Sequence, residues 1–296
     1  MARLKPALTT ALAHVALLAA PLALAGPAPG QAASQVRGHP HAQPKQESAM
    51  FSTQLRTNPS PVQAGRPATL ALRVRDAQGQ PVSTLDLSHG KPMHLFLISK
   101  DLRSFAHVHP EAREGEFALE HTFESGGEYM VLVDYARPGG GAPVDRHPLR
   151  VEGPSRPSPA LTVTPTTQRS DGLVFTLHGG DAARAGAGGA HLHFAIADAA
   201  TGRPVDDLEP YLEAMAHFAV LSADGKDFLH VHPLDSKPGQ GVAAHAVFPR
   251  AGLYKLWVQV QRQGRVVTVP FVLRVQPADT SGPVGVPGHG AHGSHH

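Results

Sequence analysis

Two stretches of the chain carry the same short text 123 residues apart. Residues 94–110 read HLFLISKDLRSFAHVHP and residues 217–233 read HFAVLSADGKDFLHVHP. Carried back to Gly79 and Gly202, the match runs for 32 residues without a gap and keeps 12 identities, among them His94/His217, His107/His230 and His109/His232. An ungapped internal repeat of this kind marks a duplicated structural unit. The chain therefore has to build two equivalent cores.

The pattern inside each copy is that of strands. Residues 68–76, ATLALRVRD, alternate apolar and polar with period two. Further short strands are predicted at Met93–Ile98, Phe117–Phe123, Tyr129–Tyr135 and His147–Val151. In the second copy they fall at Leu173–Leu177, His191–Ile196, His217–Leu221, Phe228–His232, Val242–Phe248, Tyr254–Val260 and Val266–Val275. Helical periodicity appears only over Asp207–Met215. Six or seven strands in about 110 residues predict an all-β chain of two tandem immunoglobulin-like β-sandwich domains, over residues 50–152 and 161–276. Gly127-x-Tyr129 and Gly252-x-Tyr254 open equivalent strands and fit the tyrosine corner of such sandwiches. Residues 153–160, GPSRPSPA, read as a stiff linker, so the two cores are expected to fold separately with few shared contacts.

The two ends are different in kind. Arg3 and Lys5 precede an apolar stretch broken by His14 and Pro21 and ending in the small-residue site Ala23-Leu24-Ala25, which reads as a signal peptide over residues 1–25. A periplasmic or secreted protein with no membrane anchor is expected. Residues 26–49 read as a disordered lead, and residues 277–296 as a disordered tail carrying His289, His292, His295 and His296. With no cysteine, thiolate zinc sites, blue-copper sites and cysteine nucleophiles are excluded. A formal charge of +2 without basic runs argues against a nucleic-acid partner. There is no Gly-x-Ser-x-Gly elbow, His-Glu-x-x-His helix or P-loop, and Gly179–Gly189 joins strands as a flexible loop, so an enzyme is not expected.

Histidine is the compositional outlier, at 20 residues. Positions i and i+2 of a strand share a face, which puts Phe105, His107 and His109 on one side and Phe228, His230 and His232 on the matching side of the second copy. A hairpin closed symmetrically sets Ile98 against Phe105, Phe96 against His107 and His94 against His109. His94, His107 and His109 then converge, as do His217, His230 and His232, and three imidazoles with an open position suit zinc or copper. Each domain is thus expected to bind one ion independently, with affinity falling below about pH 6.5 as protons compete. The competing reading makes His-Pro a turn device whose imidazoles bond backbone carbonyls. His121 and His245 are weaker candidates to complete the sites. His191 and His193 share a face in the second domain alone, where the first has Thr69 and Ala71. Met215 would share the face of His217 if the chain is extended there, while Met93 reads as core and His89 as part of a turn with Gly90.

At residues 94–110 and 217–233, with the Gly-x-Tyr strand that follows, the chain resembles a group of exported bacterial β-sandwich proteins. Their pattern is a hydrophobic strand beginning with His, then Phe/Leu-x-His-x-His-Pro, then Pro/Gly-Gly-x-Tyr. Such proteins tend to be named heavy-metal-binding or copper-associated periplasmic proteins. The resemblance implies a metal-binding protein for copper or zinc buffering, resistance or delivery. The alternative is an exported tandem module that docks to another envelope protein, its His-Pro motifs structural. An oxidase or hydrolase with a three-His site ranks third, because no general base or nucleophile can be assigned.

Overall fold

Alternation decides most of the elements. In PATLALRVR of residues 67–75, Ala68, Leu70, Leu72 and Val74 are buried and their neighbours face outward. The computed structural model describes residues 51–136, 144–186, 188–231 and 233–278. The expected signal peptide and lead, His232, and the tail from residue 279 lie outside the described residues.

The first domain contains β1 (Ser52–Asn58), β2 (Val62–Gln63), β3 (Pro67–Arg75), β4 (Pro81–Val82), β5 (His94–Ser99), β6 (Phe105–Val108), β7 (Glu111–Arg113), β8 (Glu116–Thr122), β9 (Gly127–Asp134) and β10 (Asp145–Glu152). One sheet runs β1-β3-β8-β7 with β4 on β3, the other β2-β10-β9-β5-β6. The second domain contains β11 (Thr167–Ser170), β12 (Leu173–His178), β13 (Ala190–Asp198), β14 (His217–Ser222), β15 (Phe228–Val231), β16 (Pro233–Leu234), β17 (Val242–Ala246), β18 (Gly252–Arg262) and β19 (Arg265–Val275). Its sheets run β11-β12-β13-β17-β16 and β15-β14-β18-β19. The architecture is two tandem immunoglobulin-like β-sandwiches. Each has its tyrosine corner: Tyr129 Oη donates to Ser125 O at 2.9 Å, and Tyr254 Oη to Arg250 O at 3.0 Å.

No helix forms among the described residues, so the periodicity at Asp207–Met215 does not become one. Pro210 removes a donor there, Glu209 pairs with Gln261, and Tyr211 and Ala214 exchange backbone hydrogen bonds of 2.8 and 3.1 Å. Leu212 and Glu213 both take positive φ, 50° and 62°, as a two-residue primed turn requires. The first domain has the same device: Ser88 and Lys91 exchange bonds of 2.8 and 3.1 Å around His89 and Gly90, with φ of 49° and 69°. Met215 sits at a bend before β14, so the extended chain that would align it with His217 is not formed.

Each sandwich encloses a core of its own, centred on Leu70, Leu72, Phe117 and Val131 in the first and on Phe175, Phe194, Phe218 and Phe271 in the second. A third core joins them, which corrects the expectation of few shared contacts. Phe96, Ile98, Leu102 and Leu132 of the first domain pack with Ala219, Leu221 and Trp257 of the second. Phe105 stacks on Trp257 at 4.5 Å between ring centres. Polar bonds reinforce the junction: Arg146 donates to Gly225 O and Lys226 O at 2.6 and 2.8 Å, and Lys255 Nζ to Leu102 O at 2.6 Å. The signal was in the sequence. All six residues of β5 and of β14 are buried, and such unbroken apolar runs belong to strands covered on both faces.

Candidate metal centre

The β5–β6 hairpin closes in the symmetric register, Ile98 opposite Phe105 and Phe96 opposite His107. Ser99 fixes the turn, its Oγ accepting the amides of Arg103 and Ser104 at 3.1 and 2.8 Å. With that register His94, His107 and His109 share one face, and their ring nitrogens meet. His94 Nδ1 lies 3.0 Å from His107 Nε2, and His109 Nε2 lies 3.1 and 3.2 Å from those two atoms. Among the described residues this is the one group of three or more potential ligands brought close enough to hold an ion.

The outer nitrogens determine which inner ones carry protons. His94 Nε2 lies 2.8 Å from Ser88 O, a carbonyl that can only accept, so this nitrogen bears the hydrogen and Nδ1 is bare. His107 Nδ1 lies 2.8 Å from Gln259 Oε1, and the amide nitrogen of Gln259 donates to Thr268 Oγ1 at 2.9 Å. With the amide in this orientation His107 Nδ1 is the donor and Nε2 is bare too. Its lone pair then faces that of His94 Nδ1 across 3.0 Å, an opposition that a proton on His109 Nε2 or a cation relieves. Burial disfavours the charged forms: it lowers His94 to about 4 against the rise given by its bond to Ser88, lowers His109 to about 3, and lowers His107 as well. At neutral pH all three are neutral imidazoles, the form that binds a metal. Proton competition, expected from the sequence near pH 6.5, is displaced to lower pH for the same reason.

In the second copy His217 and His230 take the places of His94 and His107, and a carboxylate takes the place of the amide. His217 Nε2 donates to Tyr211 O at 2.8 Å, and burial lowers its pKa to about 4. His230 Nδ1 meets the Asp134 carboxylate at 2.7 Å. The rings of His217 and His230 are 6.3 Å apart, against 5.2 Å for His94 and His107.

The described histidines of the two copies lie side by side in one cluster. His94 and His230 lie 5.4 Å apart, and His107 lies 5.8 Å from His217 and 5.9 Å from His230. His89, from the Ser88–Lys91 turn, is 5.6 Å from His217 and 5.8 Å from His230. The cause is that each histidine face also carries apolar side chains, and these bury against the other domain. The supporting bonds cross over as well. Asp134 is the strand partner of His94 yet holds His230, and Gln259 is the strand partner of His217 yet holds His107. Sequence reasoning missed Asp134, Gln259 and the place of His89. The usable signal was positional, since Asp134 follows Gly127 by the same interval as Gln259 follows Gly252.

The weaker candidates lie elsewhere. His121 on β8 faces Ala68, and His245 on β17 faces His191, both in the sheets opposite those that carry the cluster. They cannot complete it, because strands equivalent in sequence belong to the same sheet in both sandwiches. His193 pairs with His178 on that sheet.

A family model described as "Domain of unknown function (DUF8832)" matches the chain twice, at residues 39–152 and 167–277. No curated protein matches. Among solved structures, the Escherichia coli adhesin FdeC is similar at 19% identity and TM-score 0.27, over 76% of this chain and 65% of that one. The Yersinia pseudotuberculosis adhesin InvE is similar at 11% identity and TM-score 0.26, over 77% and 61%. A segment of two fibronectin type III domains from chicken tenascin is similar at 12% identity and TM-score 0.22, over 75% and 98%. The chain thus spans less than two thirds of the two adhesin chains. No helix of the described residues is long and apolar enough to cross a membrane.

Proposed function

The chain belongs to the DUF8832 family, in two copies, and from that premise and the histidine geometry we propose that it is a non-catalytic, exported metal-binding protein. It holds copper or zinc through imidazoles, for buffering, resistance or delivery in the periplasm or outside the cell. The observation that carries this reading is the convergence of His94 Nδ1, His107 Nε2 and His109 Nε2 at 3.0–3.2 Å. An ion bonded to each nitrogen at about 2.0–2.1 Å in tetrahedral geometry spaces them roughly 3.3 Å apart, so small movements admit it. Neutral nitrogen donors favour zinc or copper over magnesium and calcium. The Ser88 and Gln259 contacts are the outer bonds that such ligands ordinarily have.

The alternative is a tandem immunoglobulin-like module that docks to another envelope protein, with the histidines as packing. Metal titration separates the two. The full-length chain, with His289, His292, His295 and His296 replaced by alanine, is compared with the same chain carrying His107→Ala, by calorimetry with Cu2+ and Zn2+. The expected outcome is stoichiometric binding and the loss of one equivalent in the variant. Equal, weak binding by both proteins, with a less stable metal-free variant, would hand the case to packing.

A further inference from the structure

We infer that the outer face of the second sandwich carries a separate metal site, formed by His191 and His245 and taking a borderline divalent ion such as Cu2+ or Zn2+. His191 on β13 and His245 on β17 are directly opposed in the ladder. Such pairs hold their Cβ atoms about 5 Å apart on one face. The two rings are 4.6 Å apart and tilted by 43°. Two imidazoles on one ion at about 2.0–2.1 Å put their ring centres roughly 4.5 Å apart at a right angle and about 5.2 Å apart at the tetrahedral angle, and the rings of the His94, His107 and His109 trio are spaced 4.7–5.2 Å. The neighbouring pair His178 and His193 is stacked at 5.7 Å, with faces rather than edges turned to each other, and fits a shared ion less well.

The glycine-rich segment between β12 and β13 is shaped around the His191 and His245 pair. His245 Nε2 donates to Gly188 O at 3.1 Å, which leaves Nδ1 bare for an ion. Gly189 has φ of 58°, and a Cβ there would lie 2.7 Å from His245 Nε2 and 2.8 Å from Cε1. A Cβ on Gly179 would lie 2.2 Å from His191 O. The glycines that read as a flexible joint let this loop pass close to the strands, Gly179 against the His191 backbone and Gly189 against the His245 ring and the Ala246 carbonyl. Inherited packing does not explain the pair. At the matching place in the first domain Thr69 faces Glu120, and His191 is exposed, contributing nothing to a core.

This site is independent of the interface cluster, and so is its test. The full-length chain with the four tail histidines replaced by alanine is titrated with Cu2+, followed by calorimetry and by electron paramagnetic resonance for nitrogen ligation. His191→Ala and His245→Ala should each lose the same single equivalent, the double variant no more than either, and His107→Ala a different one. Gly189→Ala keeps both ligands but crowds the His245 ring and the Ala246 carbonyl at a positive φ, and should weaken that equivalent about tenfold. Unchanged stoichiometry and spectra in both His191→Ala and His245→Ala would overturn the site, whatever happens at His107.

Discussion

In the first sandwich, His107 is held by the amide of Gln259, and in the second, His230 is held by the carboxylate of Asp134. The bulk at the junction is exchanged in the same way. The cross-strand pair Phe96 and Leu132 in one domain corresponds to Ala219 and Trp257 in the other, so the large ring moves one strand over. The backbones of the two copies, with their primed turns, hairpin registers and tyrosine corners, stay alike. Where the copies touch, they differ in a complementary way. A duplicated domain can keep its own core unchanged, but a junction between two copies packs well only when each fills space the other leaves. A carboxylate makes a ligating imidazole more basic than an amide does, so the same exchange also makes the two halves of the histidine cluster chemically unequal.

The bluntest way to break the comparison is Trp257→Ala. Removing that ring from the junction should cost about 3–5 kcal/mol, and the metal-free chain, which should melt in one step, should then melt in two as the sandwiches uncouple. Leu132→Ala, its counterpart, should cost less, about 2–3 kcal/mol. Differential scanning calorimetry reads both, and a shift below about 1 kcal/mol for Trp257→Ala would mean that the junction is not a core.

Acid tests the histidine faces. His94 and His217 are lowered to about 4 and His109 to about 3 by burial. Groups with depressed folded pKa values bind protons more readily in the unfolded chain between that value and about 6.5. The metal-free protein should hold its full stability from this source above about pH 6.5 and lose it as pH falls toward 4 and then 3. Thermal melts across that range check it, and His94→Gln should flatten the slope. A profile that stays flat from neutral pH down to 4 would show that these rings are not buried neutral.

The finest distinction is between the two outer partners. Gln259→Leu frees the His107 tautomer and should weaken the first site about 10–100-fold while leaving its ligands in place. Gln259→Glu should strengthen it by making His107 resemble His230. Competitive titration with a coloured chelator measures both, and identical affinities across wild type and the two variants would remove Gln259 from the site.

Much of this was legible in the chain. The period-two pattern and the repeat marked the strands and the sandwiches, and the symmetric closure of residues 94–109 predicted the pairing of Phe96 with His107. The failures have local causes. Asp207–Met215 looked helical because Leu208, Tyr211 and Leu212 fall at helical spacing, yet the turn at Leu212 and Glu213 decides the backbone. His121 and His245 looked like completing ligands because they are close in the repeat, but their strands lie in the far sheet of each sandwich.

The amino-acid sequence by itself determined the local partners: which residues share a strand face, where the hairpins turn, and that the first hairpin lines up three histidines. Those follow from spacing and backbone chemistry over a few residues. Only the tertiary structure decided that the two histidine faces look into one another, that Gln259 and Asp134 reach across the junction, and that His89 joins the cluster. These contacts bring together residues as far apart as His107 and Gln259, and no local rule carries that information. They arise because the strand faces that carry the histidines also carry Phe96, Ile98, Phe105, Leu221 and Phe228, and burying those apolar groups against each other draws the imidazoles in with them.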